Sequence, residues 1–321
     1  MHTIDEYLGM VECRIKELRY PASPKGLYEP IKYTLDGGGK RLRPVLTLAV
    51  CEAMGADPAN ALNQAMGVEM FHNFTLLHDD VMDHADMRRG RPTVHRRWDE
   101  RTAILSGDAM LTMASVLVGE NCPTDKYRKV NELFSRTSME VYEGQQYDMD
   151  FEERADVTVE EYMEMIRLKT SVLLGCACGM GAIMGDADET CALAMYAYGE
   201  KLGLAFQLQD DYLDTYGDPI IFGKEIGGDI LNDKKTWLLI TALSEDESGV
   251  LMREIKTPSE PSDKIDAVRG VYDRLNLPAR CHELIDRYVR EAIAELEKAS
   301  LPPAARDFFV ALAENSRTRT H

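Results

Sequence analysis

The chain spells the same acidic pattern twice, as Asp79-Asp80-Val81-Met82-Asp83 and as Asp210-Asp211-Tyr212-Leu213-Asp214. Each copy sits in an apolar stretch with helical spacing: Phe74, Leu76 and Leu77 precede the first, and Leu202, Phe206 and Leu208 precede the second. That combination restricts the fold. Residues four apart on a helix share a face, with Cβ atoms about 5–6 Å apart, so Asp79 stands over Asp83 and Asp210 over Asp214. Like charges so placed destabilise a helix, and desolvated carboxylates are costly unless paired or metal-bound. A fold that keeps both pairs must bring cations to them. Hard oxygen ligands in small number suit Mg²⁺, which is often held by one or two carboxylates plus substrate phosphates. A lone cluster of this kind reads as a solvated acidic turn. Two of them, each followed by a basic loop, read as a pair of metal claws around a diphosphate.

The rest of the chain predicts helix throughout. Ile4, Tyr7, Leu8, Val11, Ile15 and Leu18 keep i, i+3, i+4 spacing, and Leu284, Ile285, Tyr288, Val289, Ala292, Ile293 and Leu296 form one face near the C-terminus. No sustained period-two alternation bounded by hairpin turns appears. Gly37-Gly38-Gly39, Gly90-Arg91-Pro92, Gly217-Asp218-Pro219 and Pro302-Pro303 are among the breakers that cut the chain into roughly ten to thirteen helices. The expectation is an all-α fold, a single large helical bundle around a central cavity, with residues 1–321 as one domain. In an antiparallel bundle the two clusters can face each other, and bundle cores are where metal and ligand sites are commonly built.

Bulk properties narrow the partners. With 55 acidic against 37 basic residues the net charge is −18, which disfavours nucleic acid and anionic membrane surfaces. A phosphate substrate then needs metal cations to reconcile it with an acidic protein. The seven cysteines include no CxxC pair, so zinc or thioredoxin spacing is absent and free thiols in a reducing cytoplasm are expected. Met1 to Met10 show no basic-then-apolar leader pattern. The longest apolar stretch, Val172 to Gly185, is shorter than a membrane span and rich in glycine, as in a buried helix packed closely on a neighbour. No transmembrane segment is expected.

Basic elements accompany the acids. In Gly37-Gly38-Gly39-Lys40-Arg41-Leu42-Arg43-Pro44 the glycines permit close backbone approach, and Lys40 and Arg43, three apart, can share a helical face to meet a diphosphate. The pattern is not a P-loop, because GxxxxGK[ST] is absent. After the first cluster, Arg88 and Arg89 stand on a loop ended by Gly90 and Pro92, well placed for phosphate oxygens. His72 lies about two turns before Asp79, where it is either a donor or a structural residue. Lys169-Thr170, Lys224, and Lys234 with Lys235 add further cations, each of which alone reads as a surface lysine. Gln145 and Asp148 are polar positions on what reads as a core helix, candidates to line the same cavity.

The order GGGKRLRP, HDDVMDHADMRRGRPTVH, EGQQYDMDFE, LKTS, FQLQDDYLD, FGKEIGGDILNDKKTW resembles the trans-isoprenyl diphosphate synthases, the polyprenyl synthetase family, from Gly37 to Trp237, with no departure at the catalytic positions. The resemblance implies an all-α prenyltransferase, usually a homodimer, with three Mg²⁺ ions and with isopentenyl diphosphate and allylic diphosphates as substrates. By motif, Asp79 and Asp83 should ligate two Mg²⁺ and Asp210 the third, with Asp80, Asp211 and Asp214 in support. Arg88, Lys169, Lys224 and Lys234 should hold the allylic diphosphate. Lys40, Arg43, His72 and Arg89 should hold isopentenyl diphosphate. Thr170 and Gln207 should turn oxygens toward a developing carbocation, and Phe206 should pack near the isopentenyl group.

In that family the residues four and five before the first cluster set product length, and here they are Thr75 and Phe74. Phe74 lies about 7.5 Å down the helix axis from Asp79, where its ring can act as a floor; the plainer reading is ordinary core packing. One aromatic at the deeper position resembles enzymes that stop at C20, geranylgeranyl diphosphate. C15, farnesyl diphosphate, is the alternative, with Met110 and Met113 as further floor candidates. A terpene cyclase would lack GGGKRLRP and the second DDxxD. A di-iron bundle is suggested by Glu69-Met70-Phe71-His72, but that site class needs a second ExxH. A non-catalytic partner subunit of a prenyltransferase should have degraded clusters.

Overall fold

The computed structural model describes residues 1–217, 226–257 and 260–317. Almost all regular structure in them is helical. In chain order come α1 (Ile4–Glu17), α2 (Lys25–Leu35), α3 (Leu42–Ala53), α4 (Leu62–Met82), a two-residue hairpin β1 (Met87–Arg88) and β2 (Arg91–Pro92), α5 (Val94–Arg97), α6 (Glu100–Gly119) and α7 (Thr124–Glu153). Then follow α8 (Val159–Ile166), a π-helical turn Arg167–Ser171, α9 (Val172–Met184), α10 (Glu189–Tyr216), α11 (Gly228–Leu231), α12 (Trp237–Glu245), α13 (Val250–Lys256), α14 (Pro261–Arg274), α15 (Leu277–Lys298) and α16 (Pro303–Arg317). The all-α expectation holds. Residue contacts divide the chain into two compact units, Met1–Arg136 with Cys176–Met195, and Thr137–Gly175 with Tyr196–His321.

In the first unit α4 is the central element. Met66, Val68, Met70 and Phe71 are all fully buried, so α4 is covered on several sides rather than along one stripe. It packs most extensively on α6, and two glycines set that approach. A Cβ on Gly67 would lie 3.0 Å from the Ala114 carbonyl oxygen, and one on Gly107 would overlap the His78 ring. The glycine-rich α9 packs as closely: a Cβ on Gly181 would lie 2.9 Å from Val50 of α3. Residues 176–182 are buried throughout, as expected for that apolar stretch. By length and composition Glu100–Gly119 and Val159–Met184 could each cross a membrane, but 78 % of the second window is buried inside the protein.

In the second unit the π turn Arg167–Ser171 is clasped by two glycines. A Cβ on Gly144 of α7 would fall on the Lys169 backbone, and one on Gly203 of α10 would lie 2.6 Å from Ser171 Cα. The α15 stripe is narrower than its sequence pattern. Cys281, Ile285, Val289, Ala292 and Leu296 are buried, whereas Leu284, Tyr288 and Ile293 are half-buried. All seven cysteines are free.

Candidate active site

The first aspartate cluster closes α4. Asp79 and Asp80 lie in its last turn and Asp83 is its C-cap, with the Asp83 amide donating to the Asp79 carbonyl at 2.8 Å. A helix C-terminus carries negative partial charge, so these carboxylates add to the local field instead of opposing it. That is unfavourable for the helix and favourable for a cation. Asp79 is half-buried and Asp83 exposed, while Asp80 is buried. The Arg88 Nε donates to Asp80 Oδ1 at 2.7 Å. Burial pushes the Asp80 carboxyl up, and Arg88 opposes that rise.

Arg88 belongs to the hairpin. Met87 pairs with Pro92 and Arg88 with Arg91, which leaves Arg89 and Gly90 at the turn with φ of 52° and 71°. Positive φ at both central residues is what a tight type I′ hairpin turn requires. Arg91 anchors the hairpin from below, its guanidinium 3.8 Å from the Tyr33 ring centroid, and the Tyr33 hydroxyl donates to the Pro92 carbonyl at 2.8 Å.

The glycine-rich loop departs from its expected form. Helix α3 begins only at Leu42, and Arg41, its N-cap, is left-handed with φ of 48°. Lys40 therefore stands exposed in the loop, and the helical face it was expected to share with Arg43 does not exist. Arg43 meets His72 instead, with 3.2 Å between Arg43 Nη1 and His72 Nε2. Arginine can only donate, so this ring nitrogen accepts and the imidazole is neutral. Burial, with Arg43, Arg89, Arg88 and Arg41 nearby, holds it well below the usual histidine range. Arg89 Nη1 donates to the Gly38 carbonyl. The ExxH pattern is no di-iron half-site: Glu69 binds Arg41 Nη1 at 2.7 Å and Asn73 Nδ2 at 2.8 Å.

The second cluster lies in the last two turns of α10. Asp210 and Asp214 are half-buried and Asp211 is buried, so the middle aspartate is again the buried one, while the last is less exposed than Asp83. The cluster's partners are different. The Tyr162 hydroxyl donates to Asp211 Oδ2, and Gln207 Nε2 donates to Oδ1 at 2.9 Å. The Thr170 hydroxyl donates in turn to Gln207 Oε1 at 2.9 Å. Burial and the neighbouring Asp229 push the Asp211 carboxyl up, against Lys234, Tyr162 and Gln207. The Asp229 amide donates to Asp214 Oδ2 at 2.8 Å. Lys169, carried by the π turn, pairs with Asp148 at 2.6 Å. Burial raises the Asp148 carboxyl, but Lys169 and Lys234 outweigh it and hold it below its ordinary value. Lys234 lies 3.8 Å from Asp229. Gln145 on α7 and Phe206 on α10 are half-buried. Lys224 lies outside the described residues.

Of the floor candidates, Phe74 is 6 % exposed. Its ring packs edge-on against His78 at 4.8 Å and tilted against Phe71 at 5.5 Å. The Thr75 hydroxyl turns back to the His72 carbonyl at 2.8 Å. Met110 is fully buried and Met113 half-buried on α6. Sequence reasoning missed Arg41, Tyr162 and Asp229. Arg41 and Asp229 stood inside quoted motifs without an individual role. Tyr162 gave no signal, since a tyrosine in a helix is ordinary core.

Among the described residues no cluster of three or more His, Cys, Asp or Glu could hold a metal ion by itself. A claw of two carboxylates at a helix end fits an ion that takes its remaining ligands from phosphate and water, which is the habit of Mg²⁺.

The polyprenyl synthetase family model matches residues 24–273. A geranylgeranyl pyrophosphate synthase from Geoglobus acetivorans is 37% identical over 320 residues, 99% of this chain and 98% of its own. A short chain isoprenyl diphosphate synthase from Methanothermobacter thermautotrophicus is 37% identical over 298 residues, 92% of each chain. A crystal structure of a geranylgeranyl pyrophosphate synthase superposes with a TM-score of 0.95 at 44% identity, covering 100% of both chains.

Proposed function

From the premise that this chain belongs to the polyprenyl synthetase family and is a trans-prenyltransferase, we propose that it joins isopentenyl diphosphate head-to-tail to an allylic diphosphate. The sequence of events is ionisation, condensation and elimination, and geranylgeranyl diphosphate, C20, is the main product. The observation that carries the product length is Phe74, buried five residues before Asp79 with its ring braced by Phe71 and His78. The relatives named geranylgeranyl pyrophosphate synthase support the same length.

Asp79 and Asp83 would hold two Mg²⁺ and Asp210 a third, with Asp80, Asp211 and Asp214 in support. Bound there, the ions would neutralise charge that accumulates on the departing diphosphate. Arg88, Lys169, Lys224 and Lys234 bind the allylic diphosphate, and Lys40, Arg43, His72 and Arg89 bind isopentenyl diphosphate. Thr170 and Gln207 present oxygens to the allylic cation, which must be kept from water. No strong side-chain base is evident, so the departing diphosphate takes the proton. Positioning and electrostatics supply most of the rate. The whole chain acts as one domain in a cytoplasmic homodimer. The apolar residues Ile104, Leu105 and Val116, exposed on α6, support the dimer.

The test is one incubation of isopentenyl diphosphate with C5, C10 and C15 primers and Mg²⁺, followed by chain-length analysis. C20 is expected, and accumulation of C15 would overturn the assignment. Phe74→Ala should lengthen the product while activity persists; unchanged length would remove Phe74 as the floor.

A further inference from the structure

Arg41 has no part in the assignment above, yet among the described residues it is one of the most thoroughly engaged cations of the first unit. Its side chain is fully buried. Nε donates to Glu12 of α1 at 3.0 Å, Nη1 to Glu69 of α4 at 2.7 Å, and Nη2 to the Leu35 carbonyl near the end of α2 at 2.6 Å. Since Arg41 itself is the N-cap of α3, one guanidinium ties four helices together. The Leu35 bond reaches under the Gly37–Gly39 turn, so it fixes where that turn begins, while the left-handed backbone of Arg41 fixes where it ends.

Three residues of α4 divide the arginines among themselves. Glu69 takes Arg41, His72 takes Arg43, and Asn73 accepts from Arg89 at 3.4 Å. Asn73 also donates to Glu69 Oε1 at 2.8 Å, so a single buried carboxylate serves Arg41 directly and Arg89 through an amide. Arg89 closes over the loop: a Cβ on Gly39 would lie 2.9 Å from its Cζ. Without Glu69 the arginines at this spot would repel one another in a medium of low dielectric constant.

We propose that Arg41, with Glu69 as its counter-charge, is a positioning residue for isopentenyl diphosphate. It touches no substrate. It sets the glycine loop so that Lys40 on one side, Arg43 on the other and Arg89 above converge on one diphosphate. This rests on the reading of those three residues as the isopentenyl diphosphate subsite.

The test uses Arg41→Lys, which keeps the charge and the Glu69 pair but loses the fork to Glu12 and Leu35, and Glu12→Gln, which weakens only the partly exposed arm. Steady-state kinetics with both substrates varied, and a melting curve, are recorded for each. Arg41→Lys should raise the KM for isopentenyl diphosphate about tenfold, the equivalent of one lost charge-assisted contact, and leave the allylic KM and kcat within about twofold. Glu12→Gln should raise the same KM about threefold. An unchanged isopentenyl diphosphate KM in the folded variants, or both KM values rising together, overturns the proposal. If Arg41→Lys does not fold, Glu12→Gln decides alone. Lys40→Ala and Arg43→Ala serve as controls. If neither raises the KM for isopentenyl diphosphate, the subsite itself is misassigned and the proposal falls with it. If both do and Arg41→Lys and Glu12→Gln do not, only the role of Arg41 fails.

Discussion

Asp80 and Asp211 hold the same place in two clusters of identical spacing, and both are buried at the end of a long helix, yet one is hydrogen-bonded by a cation and the other by neutral donors. Asp80 leans on Arg88, which is 36% exposed. Asp211 leans on Tyr162 and Gln207 in a setting where burial and Asp229 both oppose its ionisation. The outer carboxylates differ in the same sense. Asp83 is an exposed helix cap, whereas the Asp214 carboxylate accepts from the Asp229 amide at 2.8 Å and the Asp214 backbone carbonyl accepts from the Gly227 amide. The first cluster is thus an open claw with a cation at its back. The second is tied in by hydrogen bonds, with Lys234 as a counter-charge nearby. The lesson is that a repeated motif fixes which carboxylates are offered and leaves their support to the surrounding chain.

Substitution of the proposed ligands should show what the clusters have in common. Asp79→Ala and Asp210→Ala should each lower kcat by about a thousandfold or more, about 4 kcal/mol of leaving-group stabilisation. A large loss at one cluster only would break the equivalence. Substitution of the supports should show the contrast. Tyr162→Phe leaves a buried carboxylate oxygen without its donor and should lower unfolding stability in urea by about 2 kcal/mol. Arg88→Ala should cost only about 1 kcal/mol, because the Arg88 side chain is itself 36% exposed and water can take its place beside Asp80. The reverse order would mean that the open claw is the more enclosed one. The smallest effect belongs to the outer residues. Asp214→Ala should cost about 1 kcal/mol for its lost amide bond. Asp83→Ala should cost nothing measurable, or stabilise α4 slightly by removing a negative charge from a helix C-terminus.

Much of this was legible in the sequence, and the failures have a common cause. The clusters, the helical periodicity and the close packing of the 172–185 stretch depend on local pattern. The π turn at Arg167–Ser171 does not. It exists where Gly144 and Gly203, remote in sequence, let two helices press on its backbone, and no local signal marks it. The hairpin around Arg89-Gly90 escaped because strands of two residues show no alternation. Lys40 and Arg43 were spaced for a shared helical face, but Arg41 turns left-handed to reach Glu12, Glu69 and Leu35, and that tertiary demand overrides the local periodicity. Tyr162 shows the same limit, since nothing in a helical tyrosine announces a buried aspartate as its partner.

Both claws are expected to bind divalent metal, and the most direct measurement is anomalous scattering. Crystals soaked with Mn²⁺ and an unreactive allylic diphosphate analogue should show anomalous peaks at both clusters, two within ligand distance of Asp79 and Asp83 and one at Asp210. Full occupancy at the first cluster with no peak at Asp210 would contradict the shared role of the two motifs and leave the second as a structural acid.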